Sequence, residues 1–137
     1  RITLDQRHLD PKALAQMLRE AREASERFAR EGDVGVAWER IWHIEPRPFH
    51  PHLIELCDAA IRETVGTSHR LPSGPLHDAA EMAGAGVPTV MMFVQSLHGI
   101  SHNKIEDTRE EHLQACVVAF DRLAEKTMAW IAAPHLL

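Results

Sequence analysis

The chain has 137 residues and a formal net charge of −5, with 45% hydrophobic and 26% charged residues. That length allows one ordinary domain, or two small units, and that composition excludes a disordered chain. The basic residues Arg19, Arg22, Arg27 and Arg30 are interleaved with acids and lack an aromatic platform, so no nucleic-acid partner is expected.

No apolar run reaches the roughly 18–20 residues of a membrane span, and no charged-then-apolar leader opens the chain, so no membrane partner is expected either. Cys57 and Cys116 fall in apolar helical patterns without a Cys or His at zinc-finger spacing, which predicts two reduced thiols and fits a cytoplasmic compartment. Arg1-Ile-Thr-Leu opens without Met, as a fragment would.

Residues 1–8 alternate Ile2 and Leu4 against Thr3, Asp5 and Arg7, which predicts a short strand projecting Asp5 and Arg7 together. Asp10-Pro11 predicts a helix start, since Asp caps and Pro at the first helical position loses no needed donor. Leu14, Met17, Leu18, Ala21, Ala24 and Phe28 then keep one helical face until Gly32. Val34, Val36, Trp38, Trp42 and Ile44 alternate as a half-buried strand would, interrupted only by Arg40. Strand, helix, strand makes one β-α-β crossover over the first 45 residues.

Glu45-Pro-Arg-Pro-Phe-His-Pro is a Pro-rich hinge and sets a boundary, giving units 1–45 and 46–137. Pro51 opens a helix with the face Leu53, Ile54, Cys57, Ala60, Ile61 and Val65, closed by Gly66. Ser68–Leu71 reads as a short extended entry into Pro72-Ser73-Gly74-Pro75, and a brief helix is expected from about Leu76 to Ala83. Val87–Val94 is apolar on both alternating faces, as in a central strand of a sheet covered on both sides. Thr108 and Glu111 form a Thr-x-x-Glu capping box for a long terminal helix lined by Leu113, Cys116, Phe120, Leu123, Trp130 and Ile131. The expected fold class is α/β.

His102, in Ile100-Ser-His-Asn, follows the expected central strand, where open α/β sheets place their ligands, and neutral imidazole is a common ligand of divalent metals. With ten histidines in the chain, a surface loop histidine is the competing reading. Ser73-Gly74-Pro75-Leu76-His77-Asp78 is a turn feeding a helix N-terminus; it reads either as a pocket for an anionic group or as a turn whose Asp78 suits the helix dipole. Arg7 can grip a carboxylate with two hydrogen bonds, though an exposed strand face often carries an Asp/Arg pair. His50 and His52 flank Pro51 and are read as capping the hinge. His8, His43, His69, His98, His112 and His135 show no clustered ligand spacing. A metal site needs at least three protein ligands, and this chain offers one good candidate.

The order Pro-Ser-Gly-x-x-His-Asp-Ala, then Pro-Thr-x-Met-x-Phe-Val, then Gly-Ile-Ser-His-Asn-x-x-Glu-x-Thr resembles the carboxyl-terminal part of the dinuclear-metal amidohydrolases that include N-carbamoyl-L-amino-acid hydrolase, allantoate amidohydrolase and β-ureidopropionase. The resemblance runs in register from Leu4 to about Lys126. It implies that 1–45 is part of an α+β lid and dimerisation domain. It also implies that 46–137 is the last part of a helix-covered, mixed-sheet metallohydrolase catalytic domain. By the same resemblance His102 is a metal ligand, Arg7 grips the substrate carboxylate, and Ser73, Gly74 and His77 line the substrate pocket. Asn103 and Glu106 match the tail of the metal-ligand motif without an assigned role.

The resemblance further implies two divalent ions (Zn or Mn, with Ni or Co as alternatives), a small carbamoyl or ureido amino-acid substrate, and a homodimer formed through the lid. Pro75-Leu76 stands where the family commonly has Ala-Gly. The family's other ligands, in a His-x-Asp motif, a Glu-Glu pair and a later His, lie upstream of Arg1, so this chain alone is expected to hydrolyse nothing. Two other readings stay open: a non-catalytic dimerisation or docking module, and a metallo-aminoacylase or peptidase of the same superfamily.

Overall fold

The structure, a computed structural model, describes residues 1–133, and the chain divides into two units, Arg1–Pro48 and Phe49–Leu137. His135 lies outside the described residues.

The first unit is built on α1, Pro11–Glu31. Its start follows from local chemistry: Asp10 Oδ1 accepts the Lys12 amide at 2.8 Å, and Pro11 occupies a position whose amide would have had no helical partner. Gly32 closes the helix by donating to the Phe28 carbonyl at 2.9 Å, with φ −94, so the left-handed freedom of glycine is not used. On the apolar face Leu14, Met17, Leu18, Ala21 and Ala24 are half-buried and Phe28 is exposed, and Ala29, off that face, is the one buried residue of the helix. The following segment lies along the helix: the Val34 amide donates to the Ala29 carbonyl at 3.0 Å, and the Trp38 indole N–H donates to Ser25 Oγ at 2.9 Å. The Arg22 guanidinium sits over the same indole, 5.6 Å from its centroid, a cation–π contact.

The second unit is organised by two packed helices, α2 (Pro51–Val65) and α4 (Glu110–Ala132). Gly66 ends α2 at φ 83, a left-handed conformation that a Cβ would penalise, and its amide donates to the Arg62 carbonyl at 2.8 Å. Cys57, Ala60 and Leu123 form the buried centre, with Leu56, Ile61, Val90 and Met92 packed against it. Polar links tie the same pair of helices together: Arg122 Nη1 donates to Thr64 Oγ1 at 3.1 Å, and Lys126 Nζ to Glu63 Oε1 at 2.7 Å. α3 is a seven-residue helix, Asp78–Gly84, and a single 3₁₀ turn covers Leu97–Gly99. No helix among the described residues is long and apolar enough to cross a membrane.

The α/β expectation is overturned. Among the described residues there is no strand and no sheet, so neither the β-α-β crossover over the first 45 residues nor the mixed sheet of residues 46–137 is formed. A strand exists only through a ladder with a neighbour, and the alternation at 1–8, 34–44 and 87–94 has none to pair with. Val34, Val36, Trp38 and Trp42 stay between 37% and 68% exposed instead of covering a sheet face. In 87–94, Val90 and Met92 turn onto the α2–α4 centre, while Thr89 uses its carbonyl to accept the His50 amide at 3.0 Å. The terminal helix also begins later than the capping box predicts: Arg109 occupies the cap without a side-chain cap bond, and the Glu111 carboxylate pairs with Arg109 at 3.3 Å.

Candidate functional site

His102 lies in the irregular segment before α4 with φ 57, a conformation that few non-glycine residues adopt and that costs on the order of 1 kcal/mol. Hydrogen bonds within Ser101–Glu106 hold it there. The Glu106 carboxylate accepts the His102 amide at 2.6 Å, the Glu106 amide donates to the Asn103 carbonyl at 2.9 Å, and Asn103 Oδ1 accepts the Ile105 amide at 3.2 Å. Ser101 Oγ bonds His102 Nδ1 at 2.6 Å. Nε2 has no partner among the described residues, so it is the nitrogen free to act as a ligand.

His77 occupies the cap of α3 without making a side-chain cap bond. Its ring faces that of His102 edge-on, with centroids 6.4 Å apart and planes at 64°. Twenty-five positions of chain separate these two residues, and the fold brings them side by side. The preceding turn is closed on itself, since the Ser73 hydroxyl donates to the Pro75 carbonyl at 3.0 Å. Gly74 and Leu76 are exposed, and nothing places Ser73 or Gly74 against either imidazole. With seven residues, α3 offers only a weak dipole to an anion.

Arg7 belongs to the first unit. Its Nη2 reaches Asp5 Oδ2 at 2.6 Å, and its Nε lies 3.2 Å from both carboxylate oxygens. The hydrogen bond holds the Asp5 carboxyl below its ordinary range and raises the guanidinium above its own. The two side chains project together as the i, i+2 spacing predicts, although no strand carries them. Both are about three-fifths exposed, so a substrate carboxylate would compete with Asp5 for the same fork of donors. A depression of about 530 Å³ in this unit, between the end of α1 and residues 34–36, contains none of the candidate residues.

The donor set fits one ligand of a divalent ion but not a whole site. Among the described residues no three His, Cys, Asp or Glu side chains converge, whereas a zinc site takes three or four protein donors. Cys57 and Cys116 are both free thiols, and burial pushes the Cys57 thiol up, which disfavours the thiolate a metal would need. Among the other described histidines, His50 Nδ1 and His112 Nδ1 are buried without a hydrogen-bond partner, and none belongs to a group of three metal-ligating side chains. His8 Nδ1 accepts the Asp10 amide at 2.9 Å, and His43 pairs with Glu45 at 2.7 Å. His50 and His52 pack on the Trp130 ring at 5.3 and 4.9 Å.

Sequence reasoning left two groups without a role. One is the Ser101–Glu106 turn, whose signal was the four-residue spacing from His102 to Glu106. The other is Asp58, buried on α2, which accepts from Ser68 and pairs with Arg62 at 2.9 Å and Arg70 at 3.3 Å. Its carboxyl is held below the ordinary range by the Ser68 hydroxyl first, against the opposing effect of burial, with Arg70 and Arg62 adding to the shift. Each of its partners comes from α2 or the segment just after it, which marks a structural anchor rather than a reactive group.

Comparison with known proteins supplies the remaining observations. Residues 6–126 match peptidase family M20/M25/M40. The chain is 39% identical over 79 residues to an N-carbamoyl-L-amino-acid amidohydrolase of Rhizobium meliloti, which covers 57% of this chain and 18% of that protein. It is 33% identical over 111 residues to an allantoate amidohydrolase of Escherichia coli, covering 77% of this chain and 26% of that protein. The chain therefore spans about a fifth to a quarter of the length of these relatives. No solved structure matches it.

Proposed function

The chain belongs to peptidase family M20/M25/M40, and on that premise we propose that it is part of a metal-dependent hydrolase of non-peptide amide bonds, acting on N-carbamoyl or ureido amino acids. The observation that carries this reading is the edge-on approach of His77 and His102 at 6.4 Å, in a chain whose relatives are named for carbamoyl amino acids and allantoate. His102 contributes one metal ligand through Nε2, and the other ligands and the proton-shuttling carboxylate come from outside these 137 residues. When bound, two divalent ions would polarise the scissile carbonyl and lower the pKa of a water toward ~7.

The remaining roles belong to side chains of this chain. His77, beside the ligand, supplies an imidazole N–H that orients the carbonyl or ureido group. The Ser73-Gly74 turn shapes the pocket wall, with Pro75-Leu76 setting which substrate fits. Arg7 exchanges Asp5 for the substrate carboxylate, a two-pronged bond that lysine could not reproduce. Residues 1–45 belong to a lid and dimerisation domain, and 46–137 to the catalytic domain.

The full-length enzyme tests this reading. It should release the free amino acid from N-carbamoyl amino acids or from allantoate, lose that activity on exhaustive chelation, and regain it with Zn²⁺ or Mn²⁺. Full activity after chelation would overturn the mechanism. Preference for N-acyl amino acids or dipeptides would move the protein to the aminoacylase or peptidase branch.

A further inference from the structure

His102 is fixed twice, by contacts that reach different parts of the residue. Its backbone, at φ 57, is held by the Glu106 carboxylate, which reaches back four positions to accept the amide at 2.6 Å. Its ring is held by Ser101 Oγ on Nδ1 at 2.6 Å. His98 provides an internal contrast. It has the same φ of 57 in the adjacent 3₁₀ turn, yet no carboxylate accepts its amide and no hydroxyl meets its ring among the described residues. A left-handed residue alone therefore does not require this pair of contacts.

We infer that Glu106 and Ser101 are positioning residues that lock His102 into one backbone and ring orientation, with Nδ1–H donated to Ser101 and the Nε2 lone pair left as the donor to a divalent ion. The inference rests on the proposed metal-ligand role of His102. The physical logic has two parts. An imidazole that ligates through one nitrogen keeps its proton on the other, and a fixed acceptor for that proton selects the tautomer and orients the ring. A ligand on an irregular segment also needs its main chain held, because a small rotation about φ or ψ sweeps the ring nitrogen away from where the ion sits. Glu106 meets that need through one carboxylate oxygen, Oε2, which accepts the amide, while its own amide is tied to Asn103 at 2.9 Å.

Two measurements test this. In the 137-residue chain, long-range ¹H–¹⁵N spectra should place the His102 proton on Nδ1, Ser101→Ala should let the two tautomers mix, and Glu106→Ala should move the His102 amide resonance. In the full-length enzyme, Zn²⁺ affinity measured by chelator competition should fall about 10–100-fold in Glu106→Ala and in Ser101→Ala. Glu106→Gln, which keeps a carbonyl acceptor, should stay close to the parent. Unchanged helical content and unfolding midpoint in each variant separate positioning from folding. The proposal is overturned if Glu106→Ala and Ser101→Ala bind Zn²⁺ within twofold of the parent while His102→Ala loses it, or if the parent carries the His102 proton on Nε2. If His102→Ala itself binds Zn²⁺ normally, the metal-ligand reading fails and this inference with it.

Discussion

Both units expose large apolar side chains, Phe120 at 63% and Met128 at 67% on α4 among them, but only the second pairs two helices. In Phe49–Leu137 the apolar face of α2 meets that of α4, and Leu123 and Cys57 fall to 6% and 5% exposure. In Arg1–Pro48 a single helix has only irregular segments beside it, so Phe28 stays 58% exposed, Trp42 68% and Ile2 95%. An amphipathic stripe becomes a core only when a second element presents a complementary one. Stability is therefore concentrated in the helix pair, and substitutions of equal chemistry should have unequal effects in the two units.

The sharpest test of that contrast is Leu123→Ala. It removes a buried side chain at the centre of the α2–α4 contact and should cost about 2–4 kcal/mol in urea unfolding. Trp42→Ala, a larger truncation at an exposed site, should stay within about 0.5 kcal/mol. Equal losses at the two positions would erase the distinction between the units.

Next in size is Asp58→Asn, which removes a buried charge from its two arginines and from Ser68. Because the Asp58 carboxyl is depressed in the folded chain, its stabilisation is present above the unfolded value of about 3.9 and is lost as pH falls through the lower folded value. The gap in stability between parent and variant should thus be full at neutral pH and close in acid below about pH 4. Unfolding curves taken across that range measure it, and a gap that persists in strong acid would assign the effect to packing.

In the first unit, Asp10→Ala deletes the α1 cap and should cost about 1 kcal/mol, read as lost helicity by circular dichroism. A small effect is also expected for Lys126→Ala. Its ion pair with Glu63 is only partly shielded, and its loss should fall within about 0.2–1 kcal/mol and shrink further in high salt.

What could be read from the sequence was mostly what depends on neighbours in the chain, although the equally local Thr108–Glu111 capping box did not form. Asp10-Pro11 and Gly66 place helix ends because a cap or a left-handed carbonyl closure involves residues two to four apart. The Asp5–Arg7 pair needs only i, i+2 spacing, so it forms even where the strand expected to carry it does not. Alternation at Val34–Ile44 and Val87–Val94 carried a weaker message: it records which side chains could share a face, not whether a ladder partner is present. His77 and His102 could be nominated by their motifs, but no periodicity places their rings 6.4 Å apart. Glu106 was within reach of local reasoning, since a carboxylate four residues beyond a left-handed turn residue is well placed to meet its amide.

The tryptophans make the two units separately observable by fluorescence. Trp38 and Trp42 belong to the first unit, one with its indole bonded to Ser25 and the other open to solvent. Trp130 stands near the end of α4, packed against the imidazoles of His50 and His52 at the start of α2. Separation of those helices would remove two neighbouring imidazoles and expose the indole further to water, changing its emission. A chain carrying Trp38→Phe and Trp42→Phe would leave Trp130 as a single optical probe of the unit in which His102 resides.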